Sequence, residues 1–260
     1  MTPAIRARGL RYRYPDGTPA LDGLDLVVSP GERVAVLGPN GAGKTTFMLH
    51  LNGLLRGEGE LLVEGVAVER GTLAAIRARV GLVFQDPDDQ LFMPTVREDV
   101  AFGPRNMRLG EDEVAARVSA ALDAVRMAHA ADRAPHQLSQ GERRRVAIAT
   151  VLAMDPGVVV LDEPSANLDP RARRELTALL GELDRTMLLV THDLPLAAEL
   201  CHRAVILSGG RVAADGPCRE ILADAGLLAS HDLELPVGFD LGRVPGPPES
   251  RILMSIHGGS

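Results

Sequence analysis

Tryptophan is absent from the 260-residue sequence, and only two tyrosines and two cysteines are present. Cys201 and Cys218 show no spacing that is typical of a metal site or of a redox motif. We therefore expect two ordinary free thiols and no chemistry that depends on cysteine.

Long hydrophobic runs are also absent. Asp155 and Pro156 interrupt the longest apolar stretch, and Asp162 ends it. No run reaches the roughly eighteen residues that a membrane-spanning helix needs. The first residues alternate apolar side chains with arginine and lack the apolar core of a secretory signal. The sequence therefore predicts a cytosolic chain that does not cross a bilayer by itself.

Positive charge is not in excess, because the sequence has 28 Lys and Arg residues against 35 Asp and Glu residues, and its net charge is -7. Nucleic acid is therefore not an expected partner, although a local basic patch such as Arg143 to Arg145 exists. Hydrophobic residues at 45% and charged residues at 24% are ordinary for a globular protein. This composition argues against disorder and favours one large domain with room for a smaller lobe.

The apolar pattern predicts an α/β fold. Residues 33–37, 158–161 and 186–190 are short apolar runs typical of buried strands, and helical spacing follows in residues 44–55, 171–183 and 194–200. Because strands that alternate with helices form parallel sheets, we expect a central parallel sheet.

Three other regions differ from this core. Residues 5–14 and 21–28 alternate apolar and polar side chains, which predicts a β-rich start. Helical spacing in residues 111–127 and 141–154 predicts a helical lobe inserted at about 86–156. After His231 the sequence is rich in proline and glycine, and we expect a weakly structured tail. Smaller predicted elements are strands within 60–68, at 80–84, 204–207 and 211–214, and a helix near 219–222.

A phosphate-binding motif stands between the first core strand and its helix. Residues 38–45 fit G-x-x-x-x-G-K-[ST], in which glycines let backbone N–H groups turn towards an anion at a helix N-terminus. We expect Lys44 to reach the β and γ phosphates and the Thr45 hydroxyl to hold Mg²⁺. The motif makes the fold that of a P-loop NTPase. The predicted phosphate-binding residues are Gly38, Pro39, Asn40, Gly41, Ala42, Gly43, Lys44, Thr45 and Thr46.

Two acids end the apolar run at 158–161. Asp162 is predicted to hold the magnesium shell, and Glu163 to be the general base that polarises the attacking water. An acidic turn after a strand is also a common solvated loop. The phosphate motif, with Lys44 and Mg²⁺ to neutralise phosphoryl charge, favours the catalytic interpretation.

A further motif, Leu138-Ser139-Gln140-Gly141-Glu142, precedes a helix that begins with basic residues. Ser139 and Glu142 alone would be no more than a helix capping box. Their order and spacing relative to Gln85, Ser165-Ala166-Asn167-Leu168-Asp169 and Thr191-His192-Asp193 resemble the signature, Q-loop, D-loop and switch histidine of ABC ATPases.

The resemblance covers about residues 3–230 and implies the ABC nucleotide-binding domain: a RecA-like ATP-binding core, an antiparallel β subdomain and an inserted helical subdomain. Residues 231–260 lie outside it. In that family two domains pack head to tail, so that Ser139 and Gly141 of one chain would meet the γ-phosphate held by the other. The partner ATPase is then an identical chain or a paralogue.

The resemblance also implies roles for single residues. Tyr14 would stack on adenine, although Tyr12 competes for that role. Gln85 would contact magnesium and the lytic water, Asp169 would reach across the dimer, and His192 would contact the γ-phosphate. The signature departs from the commonest LSGGQ form at Gln140 and Glu142 but keeps the two residues that face phosphate.

The stretch 85–92, together with 100–106, looks like the ATPases of energy-coupling factor importers, especially the cobalt and nickel type. Such an ATPase lies at the cytoplasmic face of the membrane and works with an integral membrane scaffold and a substrate-binding membrane subunit. Leu91, Phe92, Met93 and Val96 form an apolar patch suited to a coupling helix of the scaffold. The alternative is that these four side chains belong to the core of the helical lobe.

The transported substrate is left open. Seven histidines are scattered without a cluster that would cage cobalt or nickel, so substrate choice would lie in another subunit and a vitamin importer remains an alternative. A soluble ABC ATPase of DNA repair or translation would need an inserted coiled coil or a second cassette, and the sequence has neither. Exporter cassettes are often fused to membrane spans, and the stretch 85–106 favours import.

Overall fold

The computed structural model describes residues 2–248, which form two β-sheets and the helices around them. The strands are β1 (Ile5–Arg13), β2 (Pro19–Val28), β3 (Arg33–Leu37), β4 (Glu58–Val63), β5 (Val66–Ala67), β6 (Val80–Val83), β7 (Val158–Asp162), β8 (Thr186–Val190), β9 (Arg203–Ser208) and β10 (Arg211–Pro217). The helices are α1 (Lys44–Leu51), α2 (Leu73–Arg79), α3 (Val96–Asn106), α4 (Glu111–Ala124), α5 (Gln140–Leu152), α6 (Pro170–Glu182), α7 (Leu194–Leu200), α8 (Cys218–Ala223) and α9 (Ala225–Ser230).

The larger sheet has six strands in the order β10-β9-β3-β8-β7-β6, and all neighbours except β10 and β9 are parallel. Every residue of β3, β7 and β8 is buried, because helices or the second sheet cover both faces. The predicted parallel α/β core is therefore confirmed. Arg33 is the one charged residue within β3, and its guanidinium donates to the carbonyls of Leu180, Gly181 and Leu183 at the end of α6.

The smaller sheet is antiparallel, with the order β2-β1-β4-β5. Its buried residues, such as Ile5 and Leu24, share one core with Phe47 of α1 and with Val34 and Val36 of β3. The alternate residues of β3 enter a second core, which α3 to α8 cover. The β-rich start of the chain thus packs on one face of the parallel sheet, and the helical lobe lies on the other side.

Helices α3, α4 and α5 lie between β6 and β7 in the chain and form the inserted helical lobe. The sequence pattern did not predict α3, because Gly103 and Pro104 look like helix breakers. The helix forms nonetheless, since Thr95 caps its first turn by accepting from the Glu98 N–H and since Val96 and Val100 are fully buried. The short helices α2 and α9 were not predicted either.

The prediction of a weakly structured tail can be compared with residues 231–248 only, because the rest of the predicted tail lies outside the described residues. Within that range the sole regular element is a 3₁₀ turn at Leu241–Arg243. Leu235 and Val244 pack against the main core, and the Arg219 guanidinium donates to the carbonyls of Leu241 and Val244. This stretch is irregular in backbone form yet packed against α8.

Within residues 2–248, no helix combines the length and apolar character that crossing a membrane requires.

Candidate functional site

The candidate residues meet at one edge of the parallel sheet. The phosphate motif follows β3, Asp162 ends β7, Thr191 and His192 follow β8, and Gln85 comes shortly after β6. Because parallel strands end at the same edge, four loops converge there, at the place where open α/β sheets bind ligands.

The loop after β3 requires glycine for steric reasons. Gly38 has φ +141° and Gly43 has φ +99°, backbone conformations that side chains disfavour. A Cβ atom at Gly38 would lie 2.2 Å from the Leu207 carbonyl oxygen, and one at Gly43 would lie 2.4 Å from the Ala20 carbonyl oxygen. The loop therefore packs tightly against the rest of the core and leads directly into α1.

Lys44 is tied to the loop that precedes it. Its Nζ donates to the carbonyl oxygens of Gly38 at 2.7 Å and Pro39 at 2.8 Å. Burial lowers the pKa of this ammonium, while the nearby carboxylates of Glu163 and Asp162 act in the opposite direction. The cation sits between the loop and the two acids, where it can meet an anionic ligand.

Asp162 and Thr45 offer oxygen ligands on the same side of the loop. The Thr45 hydroxyl donates to Asp162 Oδ2 across 3.4 Å. Burial, and then the charge of Glu163, raise the pKa of Asp162, while Thr45, Lys44 and Arg144 oppose the rise. A carboxylate and a hydroxyl fit Mg²⁺, which prefers oxygen and takes few protein ligands when phosphates supply others. Within residues 2–248, no group of three or more His, Cys, Asp or Glu residues is arranged to hold a metal ion by itself.

Glu163 is held in place by the loop after β8. Its backbone is left-handed, with φ +44°, and its carboxylate accepts from the Thr191 hydroxyl at 3.0 Å and from the His192 N–H at 2.9 Å. The His192 ring contacts the same carboxylate through Nδ1 at 2.7 Å, while 73% of its side chain is exposed. The two residues predicted as base and switch histidine are thus in direct contact.

A cavity of about 500 Å³ brings these residues together. Tyr14 lines it, and the Tyr14 hydroxyl lies 2.9 Å from Thr46 Oγ1. Tyr12 does not line it, because its ring packs edge-on against His50 instead. The predicted residues that line the cavity are Tyr14, Asn40, Gly41, Ala42, Gly43, Lys44, Thr45, Thr46, Gln85, Asp162, Glu163 and His192.

The signature residues line a second cavity, of about 440 Å³. Ser139 caps α5, because its Oγ accepts from the Glu142 N–H at 3.3 Å and the Glu142 carboxylate accepts from the Ser139 N–H at 2.8 Å. Asp169 caps α6 and lines the same cavity as Ser139 and Gly141. Within one chain the structure does not bring these three residues to the phosphate loop.

The four residues of the predicted apolar patch, Leu91, Phe92, Met93 and Val96, differ in their burial. Leu91 and Val96 are buried in the core of the helical lobe, so including them in an exposed patch was wrong. Phe92 is 61% exposed and packs edge-on against Phe102, with ring centroids 5.0 Å apart. Both aromatic side chains line a groove of about 840 Å³ between the helical lobe and β6.

Sequence reasoning gave no role to Thr191 or Arg144. Thr191 is fully buried, donates to Glu163 and accepts from the Asp193 N–H. Its position in the Thr191-His192-Asp193 motif was a usable signal. Arg144 bonds the main chain at Gln85, but in the sequence it is only the middle of a basic run.

Comparisons with known proteins agree with this geometry. Residues 21–166 match the model of the ABC transporter family. A putative ABC transporter ATP-binding protein of Streptomyces coelicolor is 61% identical, with 91% of this chain and 92% of the relative covered. The energy-coupling factor transporter ATP-binding protein EcfA of Methanothermobacter thermautotrophicus is 50% identical, with coverages of 91% and 78%. The solved structure of cbiO1 from Clostridium perfringens, part of the ABC transporter complex cbiONQ, superimposes with a TM-score of 0.78 at 39% identity, covering 91% of this chain and 97% of that one.

Proposed function

Because this chain belongs to the ABC transporter family of ATP-binding subunits, we propose that it powers an importer of the energy-coupling factor type. Binding and hydrolysing ATP is the activity of its family. The finer proposal concerns what the ATPase drives. It rests on the likeness to EcfA and cbiO1 and on one feature of the surface.

That feature is the exposed aromatic pair of Phe92 and Phe102. The two rings, 61% and 41% exposed, stand in a groove that Phe84 and Leu82 also line. Exposed apolar grooves of this kind mark sites at which an amphipathic helix binds. The groove begins at the segment that follows Gln85, so a helix docked there would contact the same segment that reaches the ATP cavity. We propose that this helix belongs to the integral membrane scaffold, at the cytoplasmic face of the membrane.

In the proposed reaction Tyr14 stacks on adenine, the loop from Gly38 to Thr46 holds the phosphates, and Lys44 neutralises charge on the β and γ groups. Thr45, Asp162 and Gln85 would hold Mg²⁺, which supplies charge stabilisation when it is bound. Glu163 would then polarise the attacking water, and His192 would move from Glu163 to the γ-phosphate. Ser139, Gly141 and Asp169 would complete the site from a second ATPase chain.

The proposed cargo is a cobalt or nickel ion, because residues 85–92 and 100–106 resemble the ATPases of the cobalt and nickel type of importer. A vitamin importer of the same type is the alternative. In either case the cargo would be selected by a substrate-binding membrane subunit.

The test is to purify the tagged chain from its own detergent-solubilised membranes and to identify the co-purifying proteins by mass spectrometry. We expect an integral scaffold with a small substrate-binding membrane subunit, and Phe92→Asp should lose both while still binding ATP. Val237→Asp is the matched control, because Val237 is fully exposed and lies outside the groove. Recovery of soluble or nucleic-acid partners alone would remove the transport proposal.

A further inference from the structure

Arg144 has the largest side chain among those that are fully buried, with 1% exposed. Its Nη1 donates to the Phe84 carbonyl oxygen at 2.8 Å, and its Nη2 donates to the Gln85 carbonyl oxygen at 2.6 Å. One planar guanidinium thus holds two successive carbonyl groups, a geometry that the fork of arginine favours and that lysine cannot reproduce.

Helix α5 is hydrogen-bonded to the same segment at a second point. Gln90 Nε2 donates to the Ala147 carbonyl at 2.9 Å and to Thr150 Oγ1 at 2.7 Å, while Gln90 Oε1 accepts from the Phe84 N–H at 3.2 Å. The Phe84 carbonyl is therefore bonded by Arg144 of α5, and the Phe84 N–H is bonded by Gln90, whose amide donates to α5. The segment from Phe84 to Gln90 is fixed to this helix and not only to its own strand.

A simple packing role does not explain Arg144 well. Burying a guanidinium is costly, and an apolar side chain of similar volume is often at least as stable. No carboxylate bonds Arg144, although Asp86 and Asp162 act on it from a distance, and its Nε has no hydrogen-bond partner within residues 2–248. The guanidinium therefore loses its contact with water and makes two specific hydrogen bonds to the main chain instead.

The position of Arg144 along α5 shows what those bonds connect. Ser139 caps the same helix five residues earlier, about 1.4 turns away, so both residues belong to one continuous helix. Ser139 and Gly141 line the second cavity, whereas Gln85 lines the first. Arg144 therefore links a residue that lines the first cavity to the helix whose start lines the second.

We propose that Arg144 is a positioning residue that locks the main chain of Gln85 to the signature helix, so that the chain's own ATP cavity and the signature presented to its partner move together. The proposal rests on the roles proposed above for Gln85 and Ser139. Occupation of the first cavity would shift Gln85, and the two bonds would carry that shift to the start of α5.

The test compares Arg144→Met with the wild-type chain in steady-state ATP hydrolysis. We expect kcat to fall by about 10- to 100-fold while KM for ATP changes by less than about threefold, since misplacing a catalytic contact slows the reaction without removing the phosphate loop. In a Gln85→Ala background, Arg144→Met should cause little further loss, because residues that act as one unit are not additive. Arg144→Lys keeps the positive charge but not the forked guanidinium, so it should also lower kcat. It replaces Arg144→Met in the test if the methionine variant folds poorly.

Arg33→Met is the matched control, because Arg33 is also buried and its guanidinium also donates to main-chain carbonyl groups, at the far end of α6. It should lower the melting temperature without changing kcat. Equal loss of kcat in the two variants at matched folded fraction, or full additivity of Arg144→Met with Gln85→Ala, would overturn the proposal. The assay needs no membrane partner, so failure of the importer proposal would leave its outcome unaffected.

Discussion

At the scale of single residues, the Glu163 carboxylate is held by three contacts in the cavity around Lys44. Thr191 and His192 together give its carboxylate two donors besides the His192 ring contact. Glutamine at this position keeps the shape but not the charge. We expect Glu163→Gln to retain ATP and to slow hydrolysis by at least about 100-fold, the size of a general-base contribution. Single-turnover experiments would measure the loss of hydrolysis rate. Gel filtration with ATP would show whether the variant is trapped as a closed dimer.

Lys44→Ala is the contrasting variant. It should weaken nucleotide binding itself, because Lys44 is the cation predicted to meet the β and γ phosphates. A Glu163→Gln protein that hydrolysed ATP at the normal rate would rule out the assignment of the base.

The two cysteines give a prediction that is independent of the active site. Both thiols are buried, and burial raises the pKa of Cys218 to about 12 and raises that of Cys201 as well. At pH 8 about one Cys218 in ten thousand would be a thiolate even if reagent reached it. We expect no labelling by iodoacetamide in the folded protein and two labelled sites after denaturation. Rapid labelling of the native chain would show that α7 and α8 separate in solution.

At the scale of elements, α3 is fixed to the segment before it by one buried carboxylate. Asp99 Oδ1 accepts from the N–H groups of Phe92 and Met93, each at 3.0 Å, and thereby positions the exposed aromatic side chain of the groove. Burial raises the pKa of Asp99 against the effect of these two bonds, and the neighbouring charge of Glu98 adds to the rise. The fold thus holds the protonated form more readily than the unfolded chain does.

Because of this shift, the contribution of Asp99 to the free energy of unfolding depends on pH. Because the folded pKa is the higher one, its stabilising contribution is complete below the unfolded value of 3.8 and decreases as pH rises through the folded value. Asp99→Asn keeps an acceptor and does not titrate, so its free energy of unfolding relative to wild type should increase over that interval. Asp99→Ala removes the acceptor from two N–H groups and should cost about 1–3 kcal/mol. Urea unfolding at several pH values would measure the free energy of unfolding of each variant. Equal destabilisation by Asp99→Asn and Asp99→Ala would contradict this account.

The elements also show how far sequence reasoning reaches. The bounds of β8 were predicted to the residue and α7 was predicted near its observed bounds, since an apolar run and helical spacing are local signals. Helix α3 was missed because tertiary burial of Val96 and Val100 outweighs the local effect of Pro104. The motifs predicted the loop segments that the structure brings together around one cavity. The contacts of His192 with Glu163 and of Arg144 with Gln85 could not be predicted, because they join segments that approach only in the folded chain.

At the scale of the whole molecule, the predicted phosphate loop and the predicted signature line two separate cavities of one chain. The cavity around Lys44 and the cavity around Gly141 share no lining residue, so within one chain the signature does not line the cavity of its own phosphate loop. If two identical chains pack head to tail, each nucleotide is held by the loop of one and the signature of the other. This arrangement makes a prediction that variants with different defects can test.

Lys44→Ala removes the loop contribution, and Gly141→Asp places a carboxylate where the γ-phosphate of the partner's nucleotide would approach. Each variant alone should be inactive. In an equal mixture, half of the dimers contain one chain of each kind, and one of their two sites has an intact loop facing an intact signature. We therefore expect the mixture to recover about a quarter of wild-type ATPase activity if the two sites act independently. Mixing Lys44→Ala with Glu163→Gln, whose defects lie in the same cavity, should recover none, because every site then has a defective loop side. An inactive first mixture would contradict a head-to-tail homodimer with independent sites and would favour a paralogous ATPase as the partner.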